Sequence, residues 1–211
     1  MEIELKYSIE DPADIDRLFS DPDVEKAKDE NSVESVPMDA VYFDTPSFAL
    51  TKARIAFRVR KEGERYVGTL KWDGARKEAL YRRHEINLTI SDPEQQKHPT
   101  IKLFEQCDLG ERLVKLVDGQ ELVPLVEMNF VRRKARLDTG KCIMEMSVDR
   151  GDINANKQMT PILEAEFELL NGDEDDMVEF AQTLAGRYNM SQGEKSKFAR
   201  GLELIGFDNE Q

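Results

Sequence analysis

The sequence has few of the residues that build disulfide frameworks or zinc sites. Among 211 residues there are two cysteines, Cys107 and Cys142, and two histidines, His84 and His98. So small a set indicates neither a disulfide framework nor a zinc site. We therefore expect both cysteines to be packing residues.

Long apolar segments are also absent. No run approaches the roughly 18 apolar residues that a membrane-spanning helix needs, and the chain begins with charged residues where a signal peptide would be apolar. The sequence thus predicts a cytoplasmic protein with no membrane partner. Its 39% of hydrophobic residues is enough for one core, and no repeat or linker divides the chain. We expect a single α+β domain over residues 1–211.

Positive charge is in the minority, because 30 Lys and Arg residues stand against 43 Asp and Glu residues and the net charge is −13. Nucleic acids and anionic membranes require a broad surface of uncompensated Lys and Arg. The balance argues against nucleic acid as a partner. Any anionic ligand would have to be bound by a local cluster of cations.

Alternation of charged and apolar side chains is the main pattern of the sequence. In the first segment Glu2, Glu4 and Lys6 share one face of a predicted strand, and the apolar residues between them share the other face. The same alternation recurs in the segments 54–60, 66–71, 80–90, 126–136, 142–149 and 163–169.

Helical patterns accompany these strands. Asp11 and Pro12 have the pattern of an N-cap followed by proline at the first helical position. Residues 21–37 are acidic and polar, and we expect them to form an exposed connection. Further helices are predicted over residues 101–107, 111–117, 174–188 and 195–205.

The charged strand faces have two interpretations. A sheet with a solvated charged face explains any one strand, but solvated faces have no reason to group charges as Arg-x-Arg or Glu-x-Glu-x-Glu. The amphipathic helices also need apolar sheet surface to cover, which turns the charged faces inward if the sheet closes into a barrel. Buried charges must be paired with each other and with bound ions. The sequence therefore favours a barrel that binds a polyanion and a metal.

The residue types of the predicted lumen indicate which metal and which anion. Acidic residues alone would suggest calcium, whereas carboxylates together with guanidinium groups suggest Mg²⁺ or Mn²⁺ between carboxylates and phosphate oxygens. Arginine binds the same oxygens through paired hydrogen bonds. The sequence has no Walker loop, glycine-rich dinucleotide loop or nucleophilic triad spacing. Phosphoryl chemistry would then depend on positioning and charge neutralisation, with water as the nucleophile.

An ordered set of short motifs resembles the CYTH superfamily, the triphosphate tunnel metalloenzymes. Residues Glu2–Lys6 match the family's Glu-x-Glu-x-Lys signature, and Gln192–Gly201 resembles a Gln-Gly-x-x-Ser-Lys-x-x-Arg-Gly stretch of bacterial inorganic triphosphatases. The other motifs follow in the family's order, namely Tyr42–Pro46, Ala56–Arg60, Thr69–Lys71, Arg83–Glu85, Phe130–Arg132, Val148–Gly151 and Glu164–Glu168.

This resemblance implies an eight-stranded antiparallel closed β-barrel with flanking helices, a tunnel that holds a linear triphosphate. It implies a main metal site formed by Glu4, Asp149, Glu164 and Glu166. Glu2 and Glu85 would serve a second ion or order the attacking water, and Lys71 is a candidate for proton handling. The implied phosphate ligands are Lys6, Arg58, Arg60, Lys71, Arg83, Arg132, Lys134 and Lys197. A position near the tunnel mouth is the alternative for Lys134, and the roles of Arg136, Glu145 and Glu168 stay open.

The implied activity is the Mg²⁺- or Mn²⁺-dependent hydrolysis of inorganic tripolyphosphate to pyrophosphate and phosphate. The alternatives are a class IV adenylyl cyclase, a thiamine or nucleoside triphosphatase, and a polyphosphate-binding module without turnover. The presence of Glu2, Glu85 and Lys71 argues against the last, because binding alone needs no residues to order water. Long bacterial relatives carry a second, helical domain that these 211 residues do not include, and the oligomeric state is not indicated.

Overall fold

A computed structural model describes residues 1–207 of the chain, apart from the side chain of Arg76. The strands are β1 (Glu2–Ser8), β2 (Glu34–Asp44), β3 (Ile55–Glu62), β4 (Arg65–Lys77), β5 (Leu80–Thr89), β6 (Val123–Asp138), β7 (Cys142–Ala155), β8 (Gln158–Gly172) and β9 (Ser191–Gln192). The α-helices are α1 (Asp14–Phe19), α2 (Pro22–Ala27), α3 (Ala49–Lys52), α4 (Pro93–Lys97), α5 (Gly110–Val117), α6 (Glu174–Arg187) and α7 (Lys197–Leu204). Short 3₁₀ helices span Glu30–Ser32 and Ile101–Phe104.

Eight of the strands close into an antiparallel barrel, which confirms the predicted fold. The strand order is β5-β4-β3-β2-β6-β7-β8-β1, and β1 closes the ring by pairing with β5. At this seam Glu2 lies opposite Arg83 and Leu5 lies opposite Leu80. The two-residue strand β9 pairs with the end of β1 and lies outside the ring.

The strand alternation determines which side chains enter the lumen. On β3 the residues Ile55, Phe57 and Val59 are buried beneath helices, whereas the intervening residues face inward. The outer faces of β3 and β4 pack against α3 and α5, with Phe57 edge-on to Phe104 at 5.5 Å between ring centroids. The helices thus cover the apolar outside of the barrel and leave the charged side chains within it.

A second apolar cluster covers the outside of β1, β6, β7 and β8. Leu18 and Phe19 of α1 and Met177 of α6 pack there against Met144 and Phe167. None of these five side chains is more than 2% exposed. No helix within residues 1–207 is long and apolar enough to cross a membrane.

Helix α7 closes one end of the barrel. Phe198 stacks on Tyr42 with ring centroids 4.4 Å apart, and both rings join an apolar cluster with Met128 and Phe130. Gly201 allows this close packing, because a Cβ atom there would lie 2.3 Å from Cγ1 of Val126. The side chains of Phe198 and Tyr42 thus form an apolar surface at this end of the lumen.

Three local predictions were wrong. Helix α1 begins at Asp14, because Asp11 instead accepts a hydrogen bond from the amide of Ala13 in a preceding turn. The segment 21–37 is not a simple connection, since it contains α2, capped by Asp21, and the start of β2. Arg54 does not share the inward face of β3, because it precedes the strand with a φ angle of 59°.

Candidate active site

The charged lumen contains a cavity of about 120 Å³. Its lining brings together seven of the eight predicted phosphate ligands, Lys6, Arg58, Arg60, Lys71, Arg83, Arg132 and Lys197. The carboxylates that line the same cavity are Glu2, Glu4, Glu85, Glu166 and Glu168. The inward faces of β1, β3, β4, β5, β6 and β8 thus converge on one space, as the alternation predicted.

Lys71 lies between two carboxylates from neighbouring strands. Its Nζ is 2.9 Å from Oε1 of Glu2 and also forms an ion pair with Glu85, which is the cross-strand partner of Lys71. Burial alone would raise the pKa of Glu85, but Lys71 lowers it to about 2. The three predicted catalytic residues therefore form one group, in which Glu85 is ionised at neutral pH.

Arg83 and Lys6 connect this group to the middle of the lumen. The Nε of Arg83 is 2.8 Å from Oε2 of Glu2, and its Nη2 forms an ion pair with Glu4. The Nζ of Lys6 is 3.7 Å from Glu4 and 3.0 Å from Oε1 of Glu166. Burial would lower the pKa of Lys6, but the carboxylates of Glu166 and Glu4 outweigh it and raise that pKa above its ordinary value. Lys6 is thus a fixed cation.

Three of the four predicted ligands of the main metal form a compact acidic cluster. Asp149, Glu164 and Glu166 each offer a carboxylate oxygen, and these oxygens lie within 4.8 Å of one another. Asp149 and Glu164 are cross-strand partners on β7 and β8, and Glu166 follows on the same face. The fourth ligand, Glu4, is not part of this group of oxygens and pairs with Arg83.

Two cations compensate this cluster. Arg132 contacts both oxygens of Asp149 at 2.7 Å, and its Nη2 lies 2.7 Å from Oε2 of Glu166. Burial would raise the pKa of Asp149, but Arg132 and Lys197 hold it below its ordinary range. The cluster therefore keeps its negative charge although Asp149 is fully buried.

Lys197 lies among the three carboxylates. Its Nζ is 2.8 Å from Oδ2 of Asp149 and 2.8 Å from Oε1 of Glu166, and it also forms an ion pair with Glu164. The predicted phosphate ligand on α7 thus contacts the predicted metal ligands. This contact fixes the first residue of α7 to the inner wall of the barrel.

The acidic cluster fits a hard divalent cation. Mg²⁺ and Mn²⁺ take oxygen ligands, and Mg²⁺ in proteins is held by one or two carboxylates together with substrate phosphate. The Oε1 atom of Glu164 is buried and its partner is the ammonium group of Lys197. A buried carboxylate oxygen compensated by a cation is able to accept a metal ion in place of that cation.

Arg58 differs from the other lumen cations. Its Nη2 lies 3.3 Å from the hydroxyl of Thr69, which donates to Asn87, and its buried Nε has no hydrogen-bond partner. Within residues 1–207 no carboxylate lies at ion-pair distance from Arg58. Arg60, two residues on, pairs with Glu62, and burial together with Arg58 lowers its pKa to about 10. Arg58 thus lines the lumen with its charge uncompensated by any carboxylate among the described residues.

The residues at the other rim of the barrel are separated from this centre. Lys134 pairs with Glu34 at 3.2 Å and with Glu145 at 3.0 Å, and it does not line the cavity. Arg136 is exposed. Glu168 does reach the cavity, where burial and the charge of Glu2 raise its pKa to about 7.

Several residues of the site were not predicted from the sequence. Thr69 and Asn87 position Arg58, and Glu62 neutralises Arg60. Tyr42 and Phe198 form the apolar floor of the lumen. A signal was present for Glu62, because it lies two residues after Arg60 and so shares its strand face.

The fold and the lumen together define a class of protein, an antiparallel barrel whose interior is lined by paired carboxylates, guanidinium groups and ammonium groups. The chain belongs to the CYTH domain family, whose model matches residues 1–202.

An inorganic triphosphatase from Haemophilus influenzae is 28% identical to this chain over 166 residues, which cover 77% of the chain and 44% of the relative. The chain thus spans less than half the length of that relative.

Solved structures share the fold over nearly the whole chain. A candidate adenylyl cyclase from Hippeastrum, for which a dominant triphosphatase activity is reported, has a TM-score of 0.70 at 21% identity and covers 100% of this chain and 98% of its own. A candidate adenylate cyclase from Bacillus halodurans has a TM-score of 0.61 at 20% identity and covers 95% of this chain and 96% of its own.

Proposed function

We propose that the protein hydrolyses inorganic tripolyphosphate to pyrophosphate and phosphate with Mg²⁺ or Mn²⁺. The observation that carries this proposal is Arg58, a partly buried guanidinium group that lines the lumen with a buried Nε atom that makes no hydrogen bond and no carboxylate partner among residues 1–207. A cation that is partly withdrawn from water without a counter-charge favours the binding of an anion. The Haemophilus relative, an inorganic triphosphatase, supports a phosphate chain as that anion.

The phosphate chain would bind along the row of lumen cations. Arg58 donates to it through a planar fork that matches phosphate oxygens, and Lys6 and Arg83 add fixed positive charge. Asp149, Glu164 and Glu166 would hold the divalent cation, which neutralises charge on the phosphate oxygens when bound. The carboxylates are otherwise repulsive to a polyanion, so their presence beside these cations supports a metal-bound substrate.

Glu2, Glu85 and Lys71 would orient the attacking water. The water oxygen forms a bond to the terminal phosphorus, the bridging P–O bond breaks, and pyrophosphate leaves with the electron pair of that bond. A carboxylate with a pKa of about 2 is a weak base, so Glu85 orients the water by accepting a hydrogen bond and does not retain its proton. The proton passes to phosphate oxygens or to solvent.

A second candidate function is supported by a cavity beside the lumen. It has a volume of about 430 Å³, shares Lys71 and Arg83 with the lumen and is lined by Trp72 and Phe198. A cavity of this size with aromatic walls is able to hold the organic part of a nucleoside or thiamine triphosphate. Adenylyl cyclase or organic triphosphatase activity is therefore the alternative.

The deciding experiment measures product release from tripolyphosphate and from ATP with Mg²⁺ or Mn²⁺. We expect a higher kcat/KM for tripolyphosphate, with pyrophosphate and phosphate as products and no cyclic AMP. Substrate binding confined to the lumen would gain no contact from a nucleoside, which would also have to be desolvated. Faster formation of cyclic AMP and pyrophosphate from ATP would instead establish the cyclase. A Glu166→Gln variant purified in parallel controls for contaminating phosphatases.

A further inference from the structure

The position of Lys197 has a consequence for metal binding. Its side chain is buried, and its Nζ contacts the same three carboxylates that offer oxygens for a divalent cation. Mg²⁺ bonds to oxygen at about 2.0–2.1 Å. Because the three oxygens lie within 4.8 Å of one another, the space among them has room for one cation. The ammonium group and a metal ion therefore exclude each other.

We propose that Lys197 is a built-in competitor of the divalent cation, which occupies the metal position in the metal-free protein and is displaced into the lumen when metal binds. The inference rests on the proposed function, since it takes Asp149, Glu164 and Glu166 as the metal ligands. It adds a second state for Lys197, in which the side chain contacts substrate phosphate instead of protein carboxylates.

The surroundings of Lys197 allow this exchange without movement of the whole helix. Phe198 and Gly201 fix α7 against Tyr42 and Val126. The preceding segment is fixed as well, because the carbonyl of Gly193 accepts a hydrogen bond of 2.9 Å from the hydroxyl of Tyr81. Lys197 itself already lines the lumen cavity. Rotation of its long, flexible side chain is therefore sufficient to carry the ammonium group from the carboxylates towards a bound phosphate.

This competition couples metal and substrate binding. Metal binding releases an additional cation for the phosphate chain, and a bound phosphate chain withdraws Lys197 from the carboxylates. Each ligand thus favours the state that binds the other, which is positive coupling between two sites. Without substrate, the apparent metal affinity is reduced by the fraction of molecules in which Lys197 occupies the cluster.

The test is the affinity for Mn²⁺ alone, measured from the electron paramagnetic resonance signal of free Mn²⁺ without substrate. Occupancy of the cluster by Lys197 for nine-tenths of the time raises the apparent Kd about tenfold. We expect Lys197→Met to bind Mn²⁺ about tenfold more tightly than wild type, or tighter still. Lys195→Met is the matched control, because Lys195 is exposed and pairs with Glu203. We expect its affinity to equal that of wild type.

A measurement on the wild-type protein covers the case in which Lys197→Met does not fold. The ¹⁵N resonance of the Lys197 ammonium group, assigned with Lys197→Arg, should shift when Mg²⁺ is added, because its ion pairs are broken. Lys197→Arg keeps the cation and should not bind Mn²⁺ more tightly than wild type. An unchanged resonance, or equal Mn²⁺ affinity in wild type and Lys197→Met, overturns the proposal.

The two proposals fail in distinguishable ways. Tripolyphosphate hydrolysis by wild type together with equal Mn²⁺ affinity in both proteins removes the competition and leaves the function. Tighter Mn²⁺ binding by Lys197→Met in a protein that does not cleave tripolyphosphate supports the competition and removes the function. Absence of Mn²⁺ binding in both proteins overturns the metal site and the competition together.

Discussion

Arg132 binds Asp149 through two parallel hydrogen bonds, from Nε to Oδ1 and from Nη2 to Oδ2, each 2.7 Å long. The two residues are cross-strand partners on β6 and β7, and Asp149 is fully buried. A paired arrangement of this kind compensates the buried carboxylate and fixes its orientation. The same contact therefore contributes to stability and positions a candidate metal ligand.

We expect Arg132→Lys to lower the free energy of unfolding by about 1–3 kcal/mol, because lysine keeps the charge but cannot make both hydrogen bonds. Urea unfolding of the purified variant measures this change. Arg136→Lys is the control, since Arg136 is exposed on the same strand. It should change stability by less than about 0.5 kcal/mol. Equal losses in the two variants would contradict the role given to this pair.

Removal of one carboxylate from the acidic cluster should abolish most activity while the fold is retained. We expect Glu164→Gln and Glu166→Gln each to reduce kcat/KM for tripolyphosphate by on the order of a hundredfold at saturating metal, because phosphate charge is left uncompensated. Circular dichroism checks that the fold is retained, and steady-state kinetics measure the loss of activity. Glu127→Gln, an exposed change on β6, serves as control. Near-normal rates in either cluster variant would exclude the assignment.

Replacement of Arg58 should separate activity from stability. Since Arg58 has no carboxylate partner among residues 1–207, we expect Arg58→Lys to reduce kcat/KM about ten- to a hundredfold with little change in unfolding free energy. Arg60→Lys should impair both properties, because Arg60 also pairs with Glu62. Kinetics with tripolyphosphate and urea unfolding distinguish the two outcomes. Unchanged kinetics in both variants would show that neither side chain binds substrate.

The stability contributed by Glu62 should depend on pH. Burial would raise the pKa of Glu62, but Arg60 and Arg65 lower it from 4.5 to about 2 in the folded protein. The folded state therefore binds fewer protons than the unfolded state between these values. The stabilisation is complete above pH 4.5 and is lost as the pH falls towards 2.

Urea unfolding of wild type and Glu62→Gln across this range tests that expectation. The difference in unfolding free energy should be largest at neutral pH and should shrink with acidification. Glu64→Gln, an exposed neighbour, should show no such trend. A difference that is independent of pH would mean that Glu62 is not held ionised by its partners.

The inward-facing sides of the strands could be predicted from the sequence because alternation is a local property, whereas the closed eight-stranded barrel was implied by the family resemblance. The charges of Glu2, Glu4 and Lys6 on one face and the apolar residues between them leave little choice of which face packs under helices. Helix α2 was missed although Asp21 and Pro22 form an N-cap signal, because the acidic composition of the segment obscured it. Composition is a weaker indicator than capping for so short a helix.

The pairing of the lumen charges could not be predicted, because it depends on strand register. Lys71 lies opposite Glu85 and Arg132 lies opposite Asp149, whereas Arg58 lies between the neutral residues Tyr42 and Thr69. A shift of register would change these partners without altering the alternation.

The position of Lys197 could not be predicted from the sequence either, because α7 packs against the barrel from the far end of the chain. Its motif indicated that it belongs to the site. Only the packing of α7 shows that it contacts carboxylates.

The pairing of β1 with β5 and β8 determines when the barrel can close during protein synthesis. The first strand pairs with Leu80–Arg83 on one side and with Glu164–Glu168 on the other. A nascent chain on the ribosome cannot close the ring until the second of these segments has emerged. Contacts so distant in sequence form slowly, and unpaired strand edges promote aggregation in the meantime. Expression yield should therefore be limited by the late capture of β1, a step that chaperones acting on the newly made chain would assist.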